Sequence, residues 1–587
     1  MAPPAAGAPP ASSAPTERDL ASAAEARRVA AAARAAQRLL AEFSQAQIDA
    51  IVAGMAAVAE AQAEPLARLA VEETGYGVVA DKVAKNLFAA RDVYAFIQPM
   101  RTVGVVARHP ERRIVEIAEP FGVVAAIVPS TNPTSTTIYK LLISIKARCG
   151  VVISPHPAAA RCIIRTATLL NDAAREAGLP DGAIGWLSTV TLHGTQELMR
   201  ARDIAVILAT GGLGLVRAAY SAGKPAYGVG PGNAPCYVES SADLVKAADD
   251  ILAGKAFDHG VLCSSPNSIV VDRAVAPALR AALVAGGGHF LNAAEATMLA
   301  ATLITPQRLP NPGLVGKSAE HIARTLGIAV PTGTRALIVP LGGVGRDFPL
   351  SIEKLCPVLS YYEVADWREG CERSRQILQY GGMGHTMSIH SRNESVILEF
   401  GLHKPAFRIC VNTATTHGAI GLTTGLDPAM TLGCGGYGGN ITSDNITPRH
   451  LLNLKRLAYE VRPRGASRAP SSPSPTTPER ALVESAAAPP ALPQLARPPA
   501  PDGVPAADVR AGLERVLAAR GLPPTVLPGS PSPPTGPPEA FVCEDDVRRA
   551  GRDGRRLLVG PRTILTPSAR DAASAGDVLI WVDGTPR

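Results

Sequence analysis

Short, continuous apolar runs recur through the first 463 residues of this chain, and each is followed by a turn and then a helix-like stretch. The clearest runs are GVVAAIVPS from Gly122, GVVISPHP from Gly150 and IAVILATGG from Ile204. Strands without a polar face are typical of a parallel sheet that helices cover on both sides. A second set beyond residue 262 includes NSIVVD and RALIVP. The pattern therefore predicts two α/β domains in one catalytic body.

Other segments predict local structure. Residues 17–63 are Ala-rich with a helical pattern, and residues 101–120 alternate apolar and polar side chains around a turn, which predicts a β-hairpin. From residue 464 onward the chain is rich in Pro, Ser and Ala, as in APSSPSPTTPE, and we expect linkers that bury too little apolar surface to fold. Two islands interrupt this tail, at residues 506–522 and 541–587.

Composition excludes several classes of protein. The net charge of +7 is small for 587 residues, and no basic stripe indicates a nucleic-acid partner. No apolar run approaches the roughly 18 to 20 residues of a membrane span, and the N-terminus lacks a signal-peptide pattern. Nine cysteines lie far apart without CxxC or metal-type spacing, so we expect no disulfide, no metal site and a reduced, cytoplasmic setting.

The segment most informative about chemistry is KAFDHGVLCSSPNSIVVD, residues 255–272. Cys263 follows an apolar pair and precedes a turn of small residues, a place where a thiolate nucleophile is accessible and has backbone N–H donors nearby. Taken alone, one cysteine of nine is more simply a buried core thiol. Asn132, before Pro133, is likewise more simply a turn residue when taken alone.

A glycine-rich stretch follows the run that ends at residue 209. Its residues are Thr210, Gly211, Gly212 and Gly214, and they open a helix-like segment. That geometry lets backbone N–H groups approach a diphosphate at a helix N-terminus. Ordinary turn glycines explain the stretch equally well in isolation.

Several segments, in order, resemble the aldehyde dehydrogenase superfamily over about residues 20–460. They include AEPFGVVAAIVPSTNP, ILATGGLG, AFDHGVLCSS, EKLCPV and GGMGHT. They are most similar to the aldehyde-oxidising half of bifunctional alcohol/aldehyde dehydrogenases and to CoA-acylating aldehyde dehydrogenases of bacterial microcompartments. The resemblance implies an α/β fold with a Rossmann-like cofactor domain, an α/β catalytic domain and an oligomerisation hairpin.

The resemblance also implies residue roles. Cys263 is the expected nucleophile, and the Asn132 amide with the Cys263 N–H is expected to stabilise the oxyanion. His385, in GGMGHT, and His259 could each tune a thiol, or serve only in structural hydrogen bonds. The residues expected to contact NAD are Ser154, Pro155, His156, Thr210, Gly211, Gly212, Gly214, Gly230 and Glu353. The family's usual ribose-binding Lys and Glu are replaced by Ser154 and Pro157, so the choice of NAD over NADP stays open.

One departure from the superfamily bears on the reaction. Hydrolytic members carry a glutamate in an E-L-G-G motif, whereas residues 228–233 here read GVGPGN. Without a general base, water should attack a thioester slowly, while the thiol of coenzyme A needs less help. The sequence therefore predicts transfer of the acyl group to coenzyme A, and the resemblance implies reversible oxidation of a small aldehyde, acetaldehyde or propanal. Pro266 also replaces a carboxylate common in relatives, with unknown effect.

Two alternatives to this reaction stay open. One is an acylating sulfoacetaldehyde dehydrogenase, which would need an Arg or Lys in the pocket. The other is an inactive scaffold in which only the tail has a function.

The tail carries the prediction about location. Residues 506–522 place Val509, Leu513, Val516 and Leu517 on one helical face, which needs a partner in this chain or in another protein. This segment resembles the encapsulation peptides of microcompartment enzymes, and the last island is similar to segments of other microcompartment proteins. We therefore expect shell proteins as partners and a microcompartment lumen as the location.

The expected domain organisation follows from these segments, and homo-oligomers are expected from residues 101–120 and the strand after Thr431. The boundaries are a disordered N-terminus (1–16), an NAD-binding domain (17–235), a catalytic domain (236–430), a C-terminal strand (431–463), a linker (464–540) and a small island (541–587).

Overall fold

The computed structural model describes residues 15–462 and, near the C-terminus, residues 538–539, 541–553, 555–560, 563–565, 569, 573 and 578–581. The chain divides into two units, residues 1–468 and 469–587, and each is described by itself. The predicted helix at 506–522 lies outside the described residues, as does nearly all of the predicted N-terminal segment and linker. No described helix has the length and apolar character needed to cross a membrane.

The Ala-rich N-terminal segment forms two helices, as its pattern predicts: α1 (Glu17–Leu40) and α2 (Gln45–Ala61). Each begins with a capping box, in which a hydroxyl accepts a hydrogen bond from a backbone N–H three residues on. The other helices of the first unit are α3 (Ala63–Thr74), α4 (Val79–Leu87), α5 (Val93–Ile97), α6 (Pro133–Lys146), α7 (Ala160–Glu176), α8 (Leu192–Arg200), α9 (Leu213–Tyr220), α10 (Leu244–Ala256), α11 (Ala276–Ala285), α12 (Ala293–Leu303), α13 (Ala319–Thr325), α14 (Trp367–Tyr380), α15 (Glu394–His403) and α16 (Thr415–Ala419).

The apolar runs of the N-terminal half form a five-stranded parallel sheet. Its strands are β3 (Val123–Ile127), β4 (Gly150–Ser154), β5 (Ile184–Trp186), β6 (Val206–Thr210) and β7 (Ala226–Val229). Their order across the sheet is β5-β4-β3-β6-β7. Every residue of β3 and β4 is buried, because helices cover both faces. The chain reverses direction across the sheet between β3 and β6, which is where doubly wound sheets bind ligands.

A second parallel sheet follows at once. Its strands are β8 (Ala234–Val238), β9 (Pro266–Asp272), β10 (Gly288–Phe290), β11 (Ala336–Pro340), β12 (Val358–Val364), β13 (Gly384–His390) and β14 (Ala406–Val411). Their order is β10-β11-β12-β9-β8-β13-β14. β8 begins two residues before residue 236, where the sequence placed the start of the catalytic domain. The two α/β layers that the sequence predicts are therefore both present.

The predicted hairpin is confirmed and belongs to a third, antiparallel sheet. Strands β1 (Gly104–His109) and β2 (Ile114–Pro120) pair through a short turn, and β15 (Leu452–Ala458) pairs with β2 on its other side. The outer strand β15 is exposed along nearly its whole length, with Leu454 at 40% and Leu457 at 48% relative exposure. An unpaired edge of this kind is open to pairing with another chain.

The second unit contains a small α/β arrangement. Strand β16 (Phe541–Val542) pairs in parallel with β18 (Ile564–Leu565), and β17 (Leu557–Val559) pairs in parallel with β19 (Leu579–Trp581). Helix α17 (Glu544–Arg552) has three acidic residues in its first turn, and their negative charges interact favourably with the positive end of the helix dipole. A small core joins Val542, Val547 and Ala569.

Close packing of α1 against β4 depends on a residue without a side chain. A Cβ added at Gly150 would lie 2.8 Å from the backbone oxygen of Ala33, so either the strand or the helix would have to move. We expect Gly150→Ala to lower the free energy of unfolding by about 1–3 kcal/mol. Gly54→Ala, inside α2 with no atom closer than 3.7 Å to the new Cβ, should instead raise it by about 0.5–1 kcal/mol. Chemical denaturation of both variants checks the opposite signs, and equal effects would contradict this packing.

Candidate active site

A cleft of about 410 Å³ opens at the carboxyl ends of β3, β4 and β6 in the first unit. Its walls come from the residues that directly follow these strands and from two segments of the second sheet, around Val261 and Leu355. The cleft therefore lies at the topological switch point of the five-stranded sheet, where nucleotides bind in folds of this type.

One end of the cleft brings together most of the residues expected to contact the cofactor. Lining residues from this set are Ser154, Pro155, His156, Thr210, Gly211, Gly212, Gly230 and Glu353. Gly214 is not among them, because it lies inside α9 rather than in the turn before it. Gly212 is the N-cap of α9, so the free N–H groups of the first turn begin directly beside the cleft.

The side chains at this end carry little charge. The Ser154 hydroxyl is hydrogen bonded to the Thr195 hydroxyl at 2.8 Å, and the His156 Nδ1 atom accepts a hydrogen bond from the Ala158 N–H at 3.1 Å. Burial lowers the pKa of His156, which keeps the ring neutral at pH 7. Among the described residues that line the cleft there is no Arg or Lys.

Cys263 lies in the same cleft, in a turn between a 3₁₀-helix (Phe257–Gly260) and β9. The chain bends sharply just before Cys263, because Asp258, His259 and Gly260 all have positive φ, at 48°, 52° and 72°. This conformation is strained for the two residues that carry a Cβ, and strain of this kind often accompanies a functional site. Cys263 is a half-buried residue that lines the cleft.

The thiol of Cys263 is protonated in the resting protein. Burial raises its pKa to about 12, the Glu353 carboxyl adds to this effect, and Arg408 opposes it. Glu353 also lines the cleft, and its Oε1 atom accepts a hydrogen bond from the Gly232 N–H at 3.0 Å. Burial raises the pKa of Glu353 to about 8, so the carboxyl is largely neutral at pH 7.

Residues 228–233, here named the glycine loop, pack directly against Cys263. A Cβ added at Gly232 would lie 1.9 Å from the carbonyl oxygen of Cys263, so only glycine fits there. The same Cβ would lie 3.6 Å from Nδ1 of His385. The backbone of Cys263 and the ring of His385 therefore both lie close to Gly232, on the side where a Cβ would point.

His385 does not line the cleft, in contrast to the other residues expected to be catalytic. It is buried at the start of β13, where its Nδ1 atom is hydrogen bonded to the Thr386 hydroxyl at 2.9 Å; its Nε2 atom has no hydrogen-bond partner among the described residues. Burial lowers its pKa to about 3, with a further contribution from Arg408, so the ring is neutral. His259 also lies outside the cleft lining, in the strained turn before Cys263.

Asn132 lies at the edge of the cleft and at the N-terminus of α6. Its Oδ1 atom accepts a hydrogen bond from Lys85 Nζ at 2.7 Å. Lys85 is buried beside Lys82 and Asp258, and the sequence-based prediction missed all three. The sequence signal for this buried cluster was a pair of lysines three residues apart on α4. On a surface helix, both side chains would be exposed.

A cysteine thiol that shares a switch-point cleft with glycine-rich turns defines a class of protein: a nucleotide-dependent oxidoreductase with a covalent thiol step. Comparison with known proteins identifies the family. Residues 9–289 match the profile described as "Aldehyde dehydrogenase family". An acetylating aldehyde dehydrogenase of Geobacillus thermoglucosidasius has 47% sequence identity and a TM-score of 0.75, over 76% of this chain and 98% of that one. The chain belongs to the aldehyde dehydrogenase family and is related to its acylating members.

Two further relatives place the chain within this family. The bifunctional aldehyde-alcohol dehydrogenase of Escherichia coli K12 is 39% identical over 428 residues, which is 72% of this chain but 48% of that protein. The chain thus spans about half the length of this relative. A propionaldehyde dehydrogenase from the fucose utilisation microcompartment of Clostridium phytofermentans has 28% identity and a TM-score of 0.67, over 74% of this chain and 97% of that one.

The carboxyl group of Glu353 provides a test of how readily the Cys263 thiol ionises. Because ionised Glu353 opposes ionisation of Cys263, Glu353→Gln should speed alkylation of Cys263 by iodoacetamide above pH 8, by up to about tenfold. Below that pH the wild-type carboxyl is already neutral, and the two rates should converge. Mass spectrometry of the Cys263 peptide over pH 6 to 10 (an assay range, roughly set) measures both.

The matched control is Glu363→Gln, which removes an exposed carboxyl on β12 and should leave the rate unchanged at every pH. A rate ratio for Glu353→Gln that does not change with pH would contradict the proximity of the two groups.

Proposed function

We propose that the protein is a CoA-acylating aldehyde dehydrogenase that converts a small, uncharged aldehyde to its acyl-CoA. The observation that carries this proposal is the glycine loop. It packs against the Cys263 backbone and offers no carboxylate, where hydrolytic members have their glutamate. Glu353 is the carboxyl group in the cleft lining; at pH 7 it is largely protonated, and its Oε1 atom already accepts the Gly232 N–H. Water activation at Cys263 therefore lacks a suitable base.

The residues support a sequence of bond changes that begins at sulfur. The Cys263 thiol releases its proton to water and forms a C–S bond with the aldehyde carbon, while the C=O π electrons move to the carbonyl oxygen, which becomes an oxyanion. Asn132 Nδ2 and the Cys263 N–H donate to that oxygen. NAD, when bound in the cleft, would supply the acceptor for the hydride. The C–H bond breaks with both electrons, the C=O bond re-forms, and the acyl group remains on Cys263 as a thioester.

Transfer of the acyl group then uses a second thiol. The sulfur of coenzyme A adds to the thioester carbon, and the C–S bond to Cys263 breaks, which returns the cysteine as the leaving thiolate. The same donors stabilise the second oxyanion. The first step converts the aldehyde to a thioester with transfer of a hydride, and the second step exchanges one thioester for another. Both steps, and therefore the whole reaction, are reversible.

The lining of the cleft supports NAD as the cofactor and acetaldehyde or propanal as the substrate. Ser154, Pro155 and a neutral His156 offer no cation for a 2′-phosphate, which favours NAD over NADP. Val261 and Leu355 lie near the nucleophile, and no described lining residue could pair with a sulfonate. Arg408 is close to Cys263, but its guanidinium donates to backbone carbonyls and does not line the cleft.

We also propose that the enzyme works in the lumen of a microcompartment. Support comes from the encapsulation-peptide pattern of residues 506–522 and from the similarity to the Clostridium phytofermentans protein. Homo-oligomerisation is proposed from the exposed edge of β15 and the hairpin beside it.

The acylating reaction predicts dependence on coenzyme A at pH 7. With propanal and NAD alone, NADH should form in about one equivalent per Cys263 and then almost stop, at least about 100-fold below the rate with coenzyme A. NADH absorbance with and without coenzyme A measures this directly. Cys263→Ala should abolish both phases, whereas sustained turnover without coenzyme A would overturn the proposal.

A panel of aldehydes in the same assay separates the substrates. We expect acetaldehyde and propanal to exceed sulfoacetaldehyde in kcat/KM by at least about tenfold, because a buried sulfonate would be unpaired. The reverse order would favour the sulfoacetaldehyde enzyme.

The tail predicts association with shell proteins. When the full-length chain is co-expressed with microcompartment shell proteins, we expect it to co-purify with the shells, and a chain ending at residue 463 to remain unbound while keeping its activity. Equal recovery of both chains would contradict a targeting role for the tail.

A further inference from the structure

A buried ionic cluster joins α4 to the two halves of the active site. Lys82, Lys85 and Asp258 have side-chain exposures of 1%, 2% and 0%. Lys82 Nζ lies 3.0 Å from Asp258 Oδ2, and Lys85 Nζ contacts the same oxygen. Removing three ionised groups from water costs several kcal/mol each before pairing, on the order of the whole stability of a domain. A cluster of this kind is therefore a costly way to hold a helix in place.

Lys85 is the member of the cluster that reaches the active site. Its Nζ atom donates to Asn132 Oδ1 at 2.7 Å, while Asn132 Nδ2 lies 3.2 Å from the Thr131 hydroxyl. An ammonium group has only donors, so it can bond to the oxygen of an amide but not to its NH₂. Lys85 therefore selects one of the two orientations of the Asn132 amide.

That orientation is the one an oxyanion needs. Asn132 lines the cleft together with Cys263, and stabilisation of a negative oxygen there requires the NH₂ end of the amide. With the opposite orientation, Oδ1 would face the developing charge and repel it. A cation on Oδ1 also polarises the amide and makes its N–H groups stronger donors.

Asp258 connects this arrangement to the nucleophile. It precedes Cys263 by five residues in the strained turn, and its Oδ1 atom accepts a hydrogen bond from the Val78 N–H at 2.8 Å. Its own N–H donates to Asp81 Oδ2 at 2.7 Å. A Cβ at Gly77 would lie 1.8 Å from Asp258 Oδ1, so the start of α4 closes tightly around the carboxylate. The cluster thus fixes Asn132 and the Cys263 turn to the same helix.

We propose that Lys85 is a positioning residue for the oxyanion site: held by Asp258, its ammonium group orients the Asn132 amide so that Nδ2 donates to the substrate oxygen. This inference rests on the proposed function, because the oxyanion arises in that reaction. Lys85 touches neither substrate nor cofactor and acts through Asn132.

Lys82 provides the matched control. It pairs with the same carboxylate and lies 3.4 Å from the Thr131 carbonyl, but it has no contact with the Asn132 side chain. Lys85→Met and Lys82→Met each remove one ammonium group and leave Asp258 paired with the other lysine. Their folding costs should therefore be similar, while their effects on the chemical step should differ.

The kinetic test follows the first NADH formed when the full-length enzyme is mixed with NAD and propanal without coenzyme A. We expect Lys85→Met to slow this burst by about 10- to 100-fold, and Lys82→Met to change it by less than about threefold. NAD affinity and Cys263 alkylation should stay within about twofold in both variants. Asn132→Ala should also slow the burst, and Lys85→Met added to Asn132→Ala should slow it little further, because the two residues act as a unit.

Two results would overturn the inference: a wild-type burst rate in Lys85→Met, or losses that multiply in the double variant. A wild-type enzyme that forms no NADH with any aldehyde would instead contradict the proposed function.

A stability measurement keeps the inference testable in that case. Asn132→Asp should leave Tm within about 2 °C of wild type, since Lys85 pairs with the new carboxylate, whereas the same change in a Lys85→Met background should lower Tm by a further 5 °C or so. Equal shifts in the two backgrounds would mean that Lys85 does not control this side chain.

Discussion

The carboxylate of Asp258 has no exposed surface, yet three segments of the active site depend on it. It contacts both lysines of α4, accepts the Val78 N–H, and lies in the turn that leads to Cys263. Burial alone would raise its pKa, but the two ammonium groups hold the pKa below its ordinary value. Desolvation and pairing oppose each other for Lys85 as well, whose pKa falls to about 8. The charges are therefore kept by pairing between Asp258 and the lysines of α4, which ties the turn before Cys263 to that helix.

The thiol and the carboxyl group of the cleft, and the imidazole of His385 buried next to the glycine loop, are in contrast neutral at pH 7. Burial raises the pKa of Cys263 to about 12 and that of Glu353 to about 8, and burial lowers the pKa of His385 to about 3. A neutral thiol is a weak nucleophile and is also protected from oxidation. The arrangement therefore favours a cysteine that gains its charge only when other groups enter the cleft, and the oxyanion site acts after that point.

Much of the fold could be predicted from sequence because the signal is local. Continuous apolar runs mark β3, β4 and β6, and alternation marks the β1–β2 hairpin, since the pattern follows from which faces are buried. The position of Cys263 beside Asn132 came instead from resemblance to a family. Gly214 was expected to contact the cofactor at the opening of a helix; it lies in the first turn of α9 but does not line the cleft.

The ionic cluster of Lys82, Lys85 and Asp258 could not be predicted from local sequence patterns. Lys85 and Asp258 are separated by 173 residues along the chain, so neither position indicates the other. Their pairing depends on how α4 packs against the strained turn, which is a property of the tertiary structure. The position of His385 close to Gly232 also depends on the tertiary structure, namely on the path of the glycine loop. The GGMGHT motif does not indicate it.

The glycine loop also explains how one scaffold can favour a thiol over water as the acyl acceptor. At Gly232 the backbone of Cys263 leaves no room for any side chain, whereas a Cβ at Gly230 would meet no atom within 4 Å. Space for a larger residue therefore exists in the loop at Gly230, on the cleft side, and it is left open. The part of the cleft wall that the glycine loop forms carries no charge. It therefore supplies no base to activate water, and it leaves room for a bulky thiol beside the thioester. The lack of a carboxylate in residues 228–233 and the space at Gly230 both favour a thiol as the acceptor.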